Sequence, residues 1–381
     1  MTRPDARPAA KSSAQRVVVV KIGSNSLVDA QGRLDGAYLD AVAADFAAVQ
    51  ATGRQVVLVT SGAVATGVST LGLASRPPGL PERQALAAIG QIGLVHRWQA
   101  ALAAHGLHAA QVLLTYDDFT DRRRYLNLAA TFRALADFGA IPVINENDTV
   151  AVEELTVGDN DRLSGLVASQ LGAERLILLT DIDGVYDADP RSNPSAKRLS
   201  EIPVITAQVL AAAGGAGARG RGGMRSKVEA ARLAAGAGVT THIALAREPR
   251  VLSRLLAGED IGTRVPGRGS QADSRRRWLA VARRVKGKIL VDAGAATALV
   301  DKGRSLLPAG VTDVEGKFQR GDTVAVVHPD GTEIARGLAG LSAEELLVVK
   351  GARLDVAATR LGYALPKAVI HRDDLLVLVG G

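Results

Sequence analysis

The sequence contains no cysteine, so it can form neither disulfide bonds nor thiolate metal sites, and nothing in it indicates an oxidising compartment. It also has no run of the roughly 18 consecutive apolar residues that a membrane-spanning helix needs. The first sixteen residues carry four basic side chains and no apolar stretch, which is typical of neither a signal peptide nor a membrane anchor. These absences predict a cytoplasmic protein without a membrane partner.

The charge distribution gives no sign of a basic binding face. The formal net charge is +7, of which residues 1–16 contribute +3 and residues 266–284 contribute +5. Residues 17–265 have 24 basic and 25 acidic side chains, and residues 285–381 have 12 of each. The excess therefore lies in a tail and a linker, which argues against nucleic-acid binding, although a local basic patch would escape such counting and RNA binding stays open.

The length of 381 residues and the hydrophobic content of 47% allow two or three folded domains. Apolar runs alternate with segments of helical spacing up to about residue 245. Strands are predicted at residues 17–22, 55–60, 108–114, 141–145, 175–180 and 240–245, and helices at 38–52, 82–105, 121–138 and 227–237. This alternation predicts an α/β fold, a parallel αβα sandwich whose polar turns gather at the carboxyl ends of the strands.

The pattern changes after residue 285 to short apolar runs separated by turns. An Asp-Gly pair at residues 330–331 between two such runs predicts a β-hairpin, and hence a small β-rich second domain. The predicted organisation is a disordered tail at 1–15, the α/β domain at 16–265, a linker at 266–284, the β-rich domain at 285–370 and a C-terminal tail at 371–381.

Carboxylate and amide side chains follow the apolar run at residues 141–144, where a buried parallel strand would end. They are Asn145, Asp148, Asp159, Asn160 and Asp161. Each of them alone is also compatible with a turn or a helix cap. Because a single acid is enough to cap one helix, the whole group is better explained by a ligand site.

Two other strand ends carry candidate residues. Lys21 ends the first predicted strand, where a lysine is unfavourable without an anionic partner; a salt bridge or exposure of its ammonium group is the alternative. Ser61, Gly62 and Ala63 follow the second strand and precede a helix. Their small size lets backbone N–H groups approach a carboxylate or phosphate, although a tight turn would have the same composition.

A glycine-rich loop at residues 214–223 leads into Ser226 and Lys227. It contains G-x-G-x-x-G but follows an alanine-rich helical segment, so it lacks the strand of a dinucleotide site, and the Walker A pattern is also absent. Backbone amides and one ammonium group can surround phosphate oxygens here, and a flexible surface loop is the competing interpretation. Residues 181–190, polar and rich in turns, suit a nucleotide or Mg²⁺-bound phosphates, or else form a surface loop.

Together these segments resemble the amino-acid kinase family, in the form found in glutamate 5-kinases. The resemblance covers nearly the whole chain and rests on residues 21–24, 60–64, 142–148, 157–161, 179–181, 188–194 and 222–227. The β-rich domain resembles a PUA domain on residues 291–296 and 303–310. Arg219 and Arg221 depart from the small or hydroxyl residues common in the family's glycine loop.

The resemblance implies ATP-dependent phosphorylation of the side-chain carboxylate of L-glutamate, the first step of proline biosynthesis, with Mg²⁺, with inhibition by proline, and in a homo-oligomer (dimer or tetramer). The implied glutamate-binding residues are Ser61, Gly62, Ala63, Asn145, Asp148, Asp159 and Asn160. The implied ATP-binding residues are Lys21, Thr180, Asp181, Arg221, Gly222, Gly223, Met224, Arg225, Ser226 and Lys227. The implied catalytic residues are Lys21, Lys227 and Asp161, with the two lysines flanking the transferred phosphoryl group and Asp161 orienting both. No side chain is expected to bind a metal directly.

The alternatives are another amino-acid kinase, acting on acetylglutamate, aspartate or a uridylate, and an RNA-binding regulator that uses the PUA-like domain.

Overall fold

The computed structural model describes residues 16–151, 160–190, 192–214, 223–268, 285–363 and 368–378. Its larger sheet has seven strands in the order β3-β4-β2-β1-β5-β6-β7. The strands are β1 (Arg16–Ile22), β2 (Arg54–Val59), β3 (His108–Leu114), β4 (Ala140–Glu146), β5 (Arg175–Thr180), β6 (Thr240–Leu245) and β7 (Thr263–Val265). The first six are parallel to one another, which confirms the predicted parallel sheet.

Helices cover both faces of this sheet. They are α1 (Ser24–Leu27), α2 (Gly36–Ala51), α3 (Ala63–Thr70), α4 (Leu80–Ala103), α5 (Asp117–Thr120), α6 (Arg122–Asp137), α7 (Asn160–Leu171), α8 (Ala207–Ala213), α9 (Met224–Gly236) and α10 (Val251–Leu256). Successive valines of β1 point to opposite faces. Val17 and Val19 join one buried cluster, with residues of α7 and α9, while Val18 and Val20 join another, with residues of α2 and α4. Residues 17–20 therefore form the doubly buried strand of an αβα sandwich.

One strand and one helix boundary of the α/β domain differ from the prediction. β7 was not predicted, because three residues are too few to show a period, and it pairs antiparallel with β6. Helix α9 begins at Met224, three residues before the predicted start. The order of strands and helices otherwise follows the predicted alternation.

The second sheet has five strands in the order β12-β11-β10-β8-β9. They are β8 (Gly287–Val291), β9 (Val311–Gly316), β10 (Thr323–Val327), β11 (Glu333–Leu338) and β12 (Leu375–Val377), accompanied by helices α11 (Ala293–Val300), α12 (Ala343–Val349) and α13 (Leu354–Leu361). The predicted hairpin is β10–β11, and Gly331 in its turn has a φ of 86° that favours glycine. β12 lies within the segment predicted as a C-terminal tail, and its Leu376 packs into the buried cluster around α7.

Helices α3 and α4 touch backbone to backbone. A Cβ atom at Gly67 would lie 2.1 Å from the carbonyl oxygen of Leu86, and one at Gly90 would lie 1.9 Å from that of Ala63. Neither position accommodates a side chain unless the helices move apart. Among the described residues, no helix combines the length and hydrophobicity required to cross a bilayer.

His242 on β6 makes the stability of the fold depend on pH. Burial, together with the nearby charges of Arg175 and Arg264, lowers its pKa from 6.5 to about 4. The unfolded chain therefore binds more protons than the folded chain between these values, so stability falls as the pH decreases through this range. The contribution is on the order of 3 kcal/mol.

We expect His242→Gln to weaken this acid sensitivity, because glutamine has no proton to take up. Urea unfolding at a series of pH values from 6.5 to 4 measures it. The same substitution at the exposed His105 is the control. If both variants lost the same amount of stability between pH 6.5 and pH 4, His242 would not be the source of the acid sensitivity.

Candidate active site

An open cleft of about 700 Å³ lies at the carboxyl ends of β1, β2, β4 and β5. Parallel strands end at the same edge of a sheet, so residues distant in sequence meet there. The predicted residues that line the cleft are Lys21, Ser61, Gly62, Ala63, Asn145, Asp148, Asn160, Thr180, Asp181 and Lys227. The cleft therefore brings together most of the predicted glutamate-binding residues and several of the predicted ATP-binding residues.

The fully buried carboxylate of Asp161 lies between two lysines. Lys21 Nζ is 2.5 Å from Oδ1, and Lys227 Nζ is 3.1 Å from Oδ2. Ser226 Oγ also donates a hydrogen bond to Oδ2, at 2.8 Å. Both lysines are themselves buried but reach the cleft, where they bring two ammonium groups into a region of low dielectric constant. An anion in the cleft would balance that charge.

The close packing of α7 and α9 brings Asp161 and Lys227 together. Each residue lies in the first turn of its helix. A Cβ atom at Gly165 of α7 would lie 3.0 Å from the carbonyl oxygen of Ala230 on α9, so the two backbones approach closely. Both helices therefore begin at the cleft, where their N-terminal dipoles add to the positive potential.

A chain of amide side chains runs beside the lysines. Asn160 Nδ2 donates to Ser61 Oγ at 2.8 Å and to Asn145 Oδ1 at 3.0 Å. Asn145 Nδ2 in turn donates to Gln91 Oε1 at 2.9 Å. The Oδ1 atom of Asn160 is buried and has no hydrogen-bond partner among the described residues. We call Gln91, Asn145 and Asn160 the amide relay; its end at the cleft has an unused acceptor.

Gln91 is a part of this arrangement that sequence reasoning missed. It lies in the middle of α4, where no motif or strand end marks it, and its partner Asn145 is 54 residues away in the chain. Arg76 was also missed and lines the cleft. Its guanidinium partly offsets the effect of burial, which raises the pKa of Asp148 above that of an ordinary aspartate.

The predicted ATP-binding residues divide between two cavities. Thr180 Oγ1 donates to Asp181 Oδ1 at 2.9 Å at the edge of the main cleft. Met224 instead lines a smaller, mainly apolar cavity, together with Ile182, Tyr186 and Ala213. Part of the lining of the second cavity thus belongs to residues 181–190, the segment that the sequence analysis interpreted as a site for a nucleotide or Mg²⁺-bound phosphates, or else as a surface loop.

The other predicted residues are placed as follows. Gly223 precedes α9 as its N-cap, with extended backbone angles. The side chain of Arg225 is 64% exposed and forms an ion pair with Glu229 at 3.0 Å, outside the residues that line either cavity. Asp159, Arg221 and Gly222 lie outside the described residues.

Comparison with known proteins shows the family to which the chain belongs. The model of the amino acid kinase family matches residues 16–245, and that of the PUA domain matches residues 287–357. Among solved structures, isopentenyl phosphate kinase has 20% sequence identity and a TM-score of 0.48, covering 66% of this chain and 100% of that one. Glutamate 5-kinase from Pseudomonas fluorescens (strain Pf0-1) is 49% identical over 363 residues, which cover 94% of this chain and 97% of the relative. Glutamate 5-kinase from Anaeromyxobacter dehalogenans (strain 2CP-C) is 48% identical over 377 residues, which cover 97% and 99%. The chain therefore belongs to the amino acid kinase family, and the relatives that it matches over nearly its whole length are glutamate 5-kinases.

Proposed function

We propose that this chain transfers the terminal phosphoryl group of ATP to the side-chain carboxylate of L-glutamate, which forms glutamyl 5-phosphate and begins proline biosynthesis. The observation that carries the proposal is the pair of buried ammonium groups, Lys21 and Lys227, held on the carboxylate of Asp161 at the edge of the cleft. The near full-length similarity to glutamate 5-kinases supports the same acceptor.

This reaction requires charge stabilisation and no general base. A carboxyl group with a pKa of about 4.3 is already ionised near neutral pH and can act directly as the nucleophile. The main barrier is the approach of this anion to the negatively charged γ-phosphate. Lys21 and Lys227 would interact with the oxygens on which charge accumulates, and Asp161 would keep both ammonium groups in place without further reorganisation.

Glutamate would bind at the other end of the cleft. Asp148 and the free Oδ1 atom of Asn160 are acceptors suited to its α-ammonium group. Gly62, with a φ of 102°, precedes α3, so the first N–H groups of that helix are available for a carboxylate. Recognition of the amino acid and transfer of the phosphoryl group would thus use different parts of one cleft.

ATP would bind along the carboxyl end of β5 and the start of α9. Thr180, Asp181 and the backbone of Gly223 would border the nucleotide, and the family resemblance adds Arg221 and Gly222 to its contacts. The small apolar cavity beside Met224 borders this region. Mg²⁺ would enter on the β and γ oxygens of ATP and neutralise part of their charge. Asp161 already accepts from three donors in this structure, an environment that fits ammonium groups better than a metal ion.

Proline is the proposed feedback inhibitor, because its amine and carboxylate resemble the α-groups of glutamate and would compete for Asp148 and Asn160. A dimer or tetramer is the proposed assembly, on the family resemblance alone.

ADP release should be measured with glutamate, acetylglutamate, aspartate and UMP as acceptors. We expect turnover with glutamate, suppressed by proline in competition with glutamate. Turnover with another acceptor and none with glutamate would refute the proposal.

We expect Lys227→Met to lower kcat on the order of 100-fold or more while it changes the glutamate KM little, because the lysine would act on the transferred phosphoryl group. Steady-state kinetics with both substrates varied measures this. Lys317→Met, at an exposed lysine just after β9, is the control. An unchanged kcat with a raised KM for both substrates would remove Lys227 from the transfer step.

Asp148→Asn should raise the glutamate KM strongly and leave the ATP KM almost unchanged, because an amide cannot pair ionically with the α-ammonium group. Burial raises the pKa of Asp148, so glutamate affinity in the parent protein should weaken on acidification at a higher pH than for an exposed aspartate. A pH series of glutamate KM values for both proteins measures this. If the variant retains the parental KM, Asp148 does not contact glutamate.

A further inference from the structure

Gln91 is a buried polar residue to which the proposed reaction assigns no role. Its side chain is only 7% exposed, and it does not line the main cleft. Its Oε1 atom accepts from Asn145 Nδ2 at 2.9 Å. Gln91 is therefore one residue removed from Asn160 and from the cleft, and any effect that it has on a ligand must pass through Asn145.

Each amide in the relay has one donor end and one acceptor end, so the orientation of one amide fixes that of the next. Asn145 is oriented from both ends, because Gln91 Oε1 accepts from its Nδ2 atom and its Oδ1 atom accepts from Asn160. The backbone N–H of Glu146 donates to the same Oδ1 atom at 3.0 Å. If the amide of Asn145 turned over, its Nδ2 atom would face two other donors, the backbone N–H of Glu146 and Nδ2 of Asn160.

The same logic sets the orientation of Asn160. Its Nδ2 atom is used twice, by Asn145 Oδ1 and by Ser61 Oγ, so its Oδ1 atom is the part left over. This oxygen, which is buried in this structure, is the atom of the Asn160 amide that remains to accept a hydrogen bond from an ammonium group. With the relay reversed, the cleft would present an amide N–H, which repels an ammonium group.

The position of Gln91 is fixed by backbone packing. It follows Gly90, where α4 touches the backbone of α3 at Ala63. The helix that carries the relay thus cannot rotate relative to the helix that begins at the cleft. The backbone of Gln91 therefore has a fixed position relative to Asn145 and Asn160.

The amide of Gln91 makes a single hydrogen bond among the described residues, to Asn145. Its Nε2 atom is buried and has no hydrogen-bond partner among them. An apolar side chain of similar length would remove this unpaired donor but would leave Asn145 Nδ2 without its acceptor. The contribution of the glutamine is therefore the bond that it makes to Asn145.

We propose that Gln91 is a positioning residue that sets the polarity of the amide relay and thereby makes the cleft selective for an acceptor substrate with an α-ammonium group. This inference rests on the proposed function, since it concerns how glutamate is recognised. It concerns the affinity for one substrate and leaves the phosphoryl-transfer step unaffected.

The first experiment compares Gln91→Met, Gln91→Glu and Gln99→Met with the parent protein. Gln91→Met should raise the glutamate KM about tenfold, the effect of one lost hydrogen bond. Its kcat, its ATP KM and its kcat/KM for glutarate, which lacks the ammonium group, should stay within about twofold. Gln91→Glu keeps an acceptor towards Asn145 and should stay within about threefold of the parental glutamate KM. Gln99→Met is the matched control on the same helix, because Gln99 accepts from the backbone of Ala109 away from the cleft.

Thermal melting separates positioning from a structural role. Gln91→Met should melt close to the parental temperature, since it removes one unpaired buried donor, Gln91 Nε2, and leaves another, Asn145 Nδ2. Lower melting with equal losses for glutamate and glutarate would overturn the inference, as would a parental glutamate KM. Should Gln91→Met fail to fold, Gln91→Glu decides, because a tenfold rise in its glutamate KM is incompatible with a retained acceptor.

A double-mutant cycle with Asn145→Ala tests the route of the effect. If Gln91 acts through Asn145, adding Gln91→Met to Asn145→Ala should change the glutamate KM less than twofold. A further tenfold rise in the double variant would overturn the inference. Absence of turnover with glutamate in the parent protein would refute the proposed function itself, so the two failures are distinguishable.

Discussion

The ion pairs of Asp161 with Lys21 and Lys227 are the constraint on which the site depends. Two ammonium groups cannot be buried close together unless a carboxylate lies between them, and a carboxylate cannot be fully buried without such partners. The three residues come from β1, α7 and α9, so these elements must meet at one point for the charges to be compensated. The parallel sheet supplies that point, since β1 ends where both helices begin.

The cleft separates two kinds of recognition. At one end, excess positive charge and helix N-termini suit phosphate oxygens. At the other, Asp148 and the amide relay present acceptors that suit an ammonium group. A short amino acid with an anionic side chain spans both ends, with its ammonium held by the acceptors and its side-chain carboxylate near the lysines. On the proposed function, this complementarity would let a single cleft bind glutamate in one orientation and exclude the reverse.

Local chemistry made much of this predictable from the sequence. Lys21 at a strand end and the polar group after residue 144 both break the apolar pattern, and parallel strands deliver such residues to one edge. Gln91 does not stand out in the sequence of α4, because polar residues are expected on the exposed face of an amphipathic helix. Its burial depends on the contact of α4 with α3 and on a partner far away in the chain. β7 and β12 escaped prediction for another reason, since strands of three residues are defined by the neighbours with which they pair.

The glycines at the contact of α3 and α4 limit which substitutions this protein can accept during evolution. With no room for a Cβ atom at Gly67 or Gly90, the distance between the two helices is fixed by their backbones, and core mutations cannot adjust it gradually. The connection between them, residues 71–79, is free of that restriction and contributes Leu73, Ala74 and Arg76 to the rim of the cleft. New acceptor or inhibitor preferences would therefore arise by remodelling this rim, while the helical frame beneath it is inherited unchanged.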